Sequence, residues 1–298
     1  MNKIYLTSFL ILGFFTRCDN KNNQIKNETF LIHIQKTWYE EPNGFSFPVH
    51  VKVPTESMPK DGYPACILLH GNGGNGLQTI SEFSNVLNDH ILVAPTGYRN
   101  SWNLCDEKSN APDIEMINEL VIILQEYSNL NPNKIRVLGL SNGAGLANSV
   151  FIENKNEGID IVVAIVSHLN EPQYHQDNFY KIGNATDPSL PFCGYDEIEN
   201  PPSSRKYVSI SNNNDPIIPY AGGGSTVGLN FLNAETAIYL IAKNQGYEGS
   251  VLSTGEQIGN TSVFKYSYLQ DKVVHLKGNT QHSINQTQRD FVRNFFSE

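Results

Sequence analysis

The sequence predicts an α/β protein, a mostly parallel central sheet with helices on both faces, interrupted by a loop-rich insertion near residues 168–205. Three observations predict it. Short apolar runs at residues 65–69 and 91–95, and one over 159–166 broken only by Asp160, lack polar alternation, the pattern of strands buried on both faces. Segments with apolar residues at helical spacing separate such runs, which implies parallel strands joined by crossover helices. A glycine-flanked serine, Ser141 between Gly139 and Gly143, falls where one strand must turn into a helix.

In order along the chain, residues 29–38 and 45–53 alternate as strands do. Glu40-Glu41-Pro42-Asn43-Gly44 between them reads as the turn of an antiparallel pair. Residues 65–69 form a buried strand that ends in His70-Gly71-Asn72-Gly73-Gly74-Asn75-Gly76, and residues 91–95 form the next. Ile114, Ile117, Leu120, Val121 and Leu124 mark a helix over 114–127, with Asp113 as its N-cap. A strand over 134–140, a helix over 143–152 and a strand over 159–166 follow. Residues 168–205 carry Pro, Asn, Asp, Tyr and Gly with little periodicity, which reads as a lid or binding loop. A strand over 206–211, a helix over 233–244, strands over 262–268 and 272–276, and an amphipathic helix over 286–296 complete one domain.

The 298 residues carry a net charge of −9. That balance, with no Lys/Arg cluster, excludes a nucleic-acid surface and leaves small molecules, neutral polymers or proteins as partners. Residues 1–18 read as a signal peptide: Lys3 precedes an apolar run over 4–15 that is too short to span a bilayer. Residues 19–27 read as a flexible tether and 28–298 as the folded domain, so the expectation is an exported protein. Cys18 follows the apolar run as the lipid-modified cysteine of bacterial lipoproteins does, although Arg17 stands where a small residue is usual. A lipid anchor at Cys18 and plain secretion with cleavage nearby are both open. Cys66 lies in an apolar run and reads as a free buried thiol. Cys105 and Cys193 lie in loop-like sequence and are candidates to pair in an oxidising compartment. No cysteine spacing indicates a zinc site.

Gly139-Leu140-Ser141-Asn142-Gly143 carries the chemistry. A serine hydroxyl reaches a substrate only if a sharp strand-to-helix turn holds it clear of the sheet, and the flanking glycines remove the Cβ atoms that would clash there. Such a turn is the one expected of an α/β-hydrolase fold. The oxyanion formed on an attacked carbonyl needs two N–H donors: one follows the nucleophile, here Asn142, and the other comes from the loop after an earlier strand, here Asn72. His70 reads as structural within that loop. An acid and then a histidine should follow on loops after late strands. Asp215 comes just past the strand over 206–211. Of eight histidines, His282 alone has the order and setting of a base. His33, His50 and His90 precede the serine, His168 and His175 lie in the insertion, and His275 lies within a strand. Ser141, His282 and Asp215 would perform acyl transfer without metal or organic cofactor.

With these positions assigned, the chain resembles the secreted esterases grouped with polyhydroxybutyrate depolymerases, feruloyl esterases and acetyl xylan esterases, over roughly residues 60–297. The likeness rests on Val137-Leu138-Gly139-Leu140-Ser141-Asn142-Gly143-Ala144-Gly145 and Asp215-Pro216-Ile217-Ile218-Pro219-Tyr220. Glu235-Thr236-Ala237-Ile238-Tyr239 with Asn244-Gln245-Gly246-Tyr247, and Ser101-Trp102-Asn103 with Asp113, add to it. The resemblance implies ester hydrolysis outside the cytoplasm, on polysaccharide-linked acyl or feruloyl groups, by these three residues. A polyester depolymerase, a serine peptidase and a non-catalytic binding module on the same fold are the alternatives. Trp102 and Tyr220 are candidates to line the substrate pocket, as are Tyr174, Phe179 and Tyr180, with ordinary packing as the other reading of each. The chain departs from the group at Ser211-Asn212-Asn213-Asn214, where His-Gly-Thr/Ser is usual, and at Gln281-His282-Ser283, where His-Thr-Trp is usual.

Overall fold

A computed structural model describes residues 24, 25 and 29–297. The signal peptide expected over 1–18, with Cys18, lies outside the described residues. Within the expected tether, Ile25 is packed rather than loose. It is buried, and its N–H and carbonyl both bond the Asn129 side chain, at 2.9 and 2.8 Å.

Strands β1 (Phe30–Trp38), β2 (Glu41–Lys52), β3 (Tyr63–Leu69), β4 (Ile91–Pro95), β5 (Leu130–Leu140), β6 (Ile159–Ile165), β7 (Lys206–Asn212), β8 (Glu256–Gln257), β9 (Phe264–Tyr268) and β10 (Val273–Gly278) join in one sheet. Its order is β1-β2-β4-β3-β5-β6-β7-β10-β9-β8. The six strands from β4 to β10 are parallel; antiparallel pairs finish both margins. The hairpin from β1 to β2 turns at Tyr39-Glu40. The expected turn residues Pro42-Asn43-Gly44 lie inside β2, opposite Thr37, in an irregularity where Gly44 takes φ 90°.

Among the described residues five α-helices cover the sheet: α1 (Gly76–Phe83), α2 (Asp113–Gln125), α3 (Asn142–Glu153), α4 (Ala234–Asn244) and α5 (Gln286–Phe296). The period-two geometry of a strand sends alternate residues to opposite faces. Ala65, Ile67 and Leu69 of β3 therefore join a core built with α2, α3 and α4. Cys66 and Leu68 join a second core with α1 and α5. This is why the strand reads as an unbroken apolar run. The sequence pattern did not predict α1, because it has only 8 residues, opens with Gly76 and leaves Leu77 53% exposed. Asn75 caps it, accepting from the Gln78 N–H at 3.0 Å. Asp113 is not the cap of α2. Pro112 holds that position, and the Asp113 carboxylate accepts from the Asn103 N–H at 2.7 Å.

The insertion folds into a small antiparallel sheet of Tyr174–His175, Asn178–Ile182 and Tyr195–Ile198. Tyr174 packs edge-on against Phe179, and the His175 ring lies between Tyr180 and Phe192. Cys193 is joined to Cys105 by a disulfide across 88 residues of sequence, while Cys66 is free and buried.

Candidate active site

The site lies at the carboxyl ends of the parallel strands, where ligands bind in open α/β sheets. β5 ends at Leu140, and Ser141 turns the chain into α3 with φ 51° and ψ −116°. A non-glycine residue rarely holds such a backbone, and it costs about 1–3 kcal/mol unless its surroundings enforce it. They do so here. The Ser141 N–H donates to the Ile165 carbonyl at 2.9 Å, and its own carbonyl accepts from Ala144 and Gly145 at 2.8 and 3.0 Å. The flanking glycines meet backbone directly. A Cβ at Gly139 would fall 2.0 Å from the Gly143 carbonyl oxygen, and one at Gly143 would fall 2.3 Å from that of Leu69.

The Ser141 Oγ lies 2.7 Å from His282 Nε2, and His282 Nδ1 lies 2.7 Å from Asp215 Oδ2. Residues separated by 141 and 67 positions thus form one hydrogen-bonded line, with the imidazole in the middle. Asp215 follows β7, and its Oδ1 accepts from the N–H groups of Ile217 and Ile218 at 2.8 and 3.1 Å. Burial pushes its carboxyl up, but the bonds from His282, Ile217 and Ile218 together outweigh burial and hold it below the usual carboxylate range. The carboxylate is thus held in its charged form beside the imidazole.

The loop after β3 is stapled to the following segment. The Gly73 N–H donates to Asn100 O at 2.7 Å, Asn100 Nδ2 donates to Gly74 O at 2.9 Å, and the Gly97 N–H donates to His70 Nε2 at 3.0 Å. His70 is structural, as expected. The Asn142 side chain exchanges two hydrogen bonds with the Trp102 backbone, at 2.8 and 3.1 Å. The side chain of Asn142 therefore braces the loop, and only its backbone remains for the oxyanion role. Asn72, Ser141 and Asn142 line one cavity of about 330 Å³.

Solved structures of two hydrolases are similar to this one in fold. A carboxylesterase from Bacillus cereus matches with a TM-score of 0.52, over 84% of this chain and 93% of its own, at 14% identity. A 2,6-dihydroxy-pseudo-oxynicotine hydrolase matches with a TM-score of 0.50, over 89% of this chain and 67% of its own, at 10% identity. The chain has the α/β-hydrolase fold. No protein-family model and no curated protein sequence matches it.

Within this α/β-hydrolase fold the cavity has two kinds of wall. Leu104, Ile218, Val227, Leu229 and Phe231 form an apolar side; Asp106, Glu107 and Lys108 form a polar one. Sequence reasoning missed the segment that supplies Thr226, Val227 and Leu229. The glycines at 222, 223, 224 and 228 are the signal that marks it as a tight loop, and three of them take positive φ. The insertion backs the wall rather than lining it. Tyr180, Cys193 and Tyr195 pack against Ile218, Leu229 and Phe231.

Two expected pocket residues are corrected. Trp102 is fully buried, and its indole N–H donates to the His70 carbonyl at 2.8 Å. It supports the loop that carries Asn72 and has no face left for substrate. Tyr220 donates to Glu235 Oε1 at 2.9 Å and lies 3.0 Å from His275 Nε2, away from the residues that line the cavity. Asn103 and Asp113 line a separate cavity of about 540 Å³. Among the described residues no cluster of three or more His, Cys, Asp or Glu side chains is arranged to hold a metal ion.

Proposed function

We propose that this protein is a serine carboxylic ester hydrolase that works through an acyl-enzyme. The carrying observation is the continuous line of two 2.7 Å hydrogen bonds from Ser141 through His282 to Asp215. His282 Nε2 takes the Ser141 proton as Oγ bonds to the ester carbonyl carbon, and the N–H groups of Asn142 and Asn72 hold the resulting oxyanion. The tetrahedral species collapses, and the alcohol leaves with the proton from His282. Water, deprotonated by the same imidazole, then attacks the acyl-enzyme and releases the acid. Asp215 keeps Nδ1 protonated throughout. No step calls for a metal or organic cofactor.

For the substrate we propose an extracellular ester with an apolar acyl part and a polar, sugar-like alcohol, feruloyl and acetyl groups on polysaccharide among them. The two-sided cavity supports this reading. A polyester depolymerase would carry an open aromatic surface beside the nucleophile, whereas Phe231 is the one aromatic among the described cavity-lining residues. The N-terminal sequence and the Cys105–Cys193 disulfide support export, since such bonds persist in oxidising compartments. Whether a lipid at Cys18 holds the protein at a membrane is read by mass spectrometry of its N-terminus.

The test is hydrolysis of short p-nitrophenyl esters and of methyl ferulate, beside Ser141→Ala and His282→Ala. Each variant should fold and lose on the order of 10⁴- to 10⁶-fold in kcat. Wild-type turnover that survives in Ser141→Ala would overturn the mechanism.

A further inference from the structure

Two departures from the sequence resemblance, the run before Asp215 and the flanks of His282, meet in the fold. Asn212 closes β7 and is 1% exposed. Its Nδ2 donates to the Gln281 carbonyl at 3.0 Å and to the Ser283 carbonyl at 2.7 Å, the two peptide oxygens that bracket His282. Its Oδ1 accepts from Gln288 Nε2 at 3.0 Å. Both N–H groups of the amide are therefore used on the histidine loop, and its oxygen on α5.

An asparagine amide has nearly the same shape either way round, so its neighbours set its direction. Two carbonyls on one side admit only the NH₂ group. Gln288 in turn cannot reverse, because its Oε1 accepts from the Asn285 N–H at 2.9 Å in the capping box of α5. The direction of the brace thus begins at a backbone N–H. Gly278 leaves the room for it: a Cβ there would fall 2.2 Å from Asn212 Oδ1 and 2.4 Å from Gln288 Nε2. Other bonds tie the start of the loop, from the Asn213 N–H to Gly278 O and from Asn214 Nδ2 to Asn279 O. Those at Thr280 and Ser283 run within the loop.

We propose that Asn212 is a positioning residue for His282, a buried cross-brace that holds the peptide on both sides of the imidazole so that one ring nitrogen stays on Ser141 and the other on Asp215. The inference rests on the triad reading above. Asn212 touches no substrate and acts through the histidine alone.

The experiment compares wild type with Asn212→Ala and Gln288→Glu. Gln288→Glu keeps the acceptor for the Asn285 N–H but loses the donor to Asn212 and sets a carboxylate oxygen against Asn212 Oδ1, so that the amide can no longer satisfy both sides and the brace loosens. With p-nitrophenyl acetate, kcat should fall about 10²-fold in Asn212→Ala and about tenfold in Gln288→Glu, with KM within about threefold in both. The low-field proton resonance of the His282–Asp215 bond should weaken, and amide exchange over residues 280–284 should accelerate. A merely structural residue would lower the melting temperature yet leave kcat of the folded enzyme and the low-field proton unchanged, and that result overturns the proposal. If Asn212→Ala does not fold, Gln288→Glu carries the same readouts. Failure of the triad reading is seen separately, as a wild-type protein that neither turns over esters nor is labelled at Ser141 by an organophosphonate. In that case unchanged exchange over 280–284 in the variants still refutes the brace.

Discussion

Gly143→Ala should damage stability and rate together, for one geometric reason. A Cβ at this position falls 2.3 Å from the Leu69 carbonyl oxygen and 2.5 Å from that of His70, where ordinary contact begins at 3.4 Å. Both obstacles are backbone, so no side-chain rotation relieves them. The end of β3 and the start of α3 must part by about 1 Å, an overpacking that costs about 1–3 kcal/mol. The end of β3 leads into Asn72, and α3 begins at Asn142 just after Ser141, so the same movement separates the two N–H groups proposed to hold the oxyanion. A misplacement of about 1 Å at a reacting centre lowers rate by about 10²-fold. Urea unfolding reads the first quantity, and kcat on a p-nitrophenyl ester reads the second. Gly71→Ala is the control for stability, because its Cβ meets Leu140 O and Ser141 Cβ no closer than 3.6 Å. A Gly143→Ala enzyme within about 0.5 kcal/mol of wild type, with kcat unchanged, would show that the close approach of α3 to β3 does not govern the site.

Two further perturbations test other parts of the structure. Reducing the Cys105–Cys193 bridge, or replacing Cys193 by Ser, opens a closed loop of 88 residues and should lower stability by about 4.6 kcal/mol on the chain-entropy account. Denaturant unfolding with and without reductant measures it, and a shift below about 1 kcal/mol would mean the loop is held by packing alone. Asp113 tests the effect of burial on a carboxyl. Burial raises it from 3.8 to about 8, against the lowering bond from the Asn103 N–H. The folded state therefore holds a proton that the unfolded chain releases near pH 4. Stability from this group is full below that pH and is lost as pH rises to about 8. Asp113→Asn keeps an acceptor for Asn103 and cannot ionise, so its advantage in melting temperature over wild type should be larger at pH 9 than at pH 5. Equal differences at the two pH values would refute the sign.

What the sequence by itself determined was whatever depends on local pattern and order. The apolar runs that became β3, β4 and β6 are legible because burial on both faces removes the polar alternation, with Asp160 near the start of β6 the one charged exception. Ser141 is legible because only glycines tolerate its turn, and Asp215 and His282 because each follows a strand in the chain order that such a site requires. Features set by neighbours remote in sequence had no such signal. Trp102 and Tyr220 look like pocket aromatics until their polar atoms are seen committed to His70 and Glu235. Asp113 looks like a helix cap until Asn103 claims its carboxylate. The Asn212 brace joins residues 69 and 71 positions apart, and the apolar cavity wall depends on an insertion that packs behind it. Local spacing decides which side chains can reach one face of an element. Which of those side chains is free to meet a substrate, and which is already bonded to the protein, is decided only when the chain closes on itself.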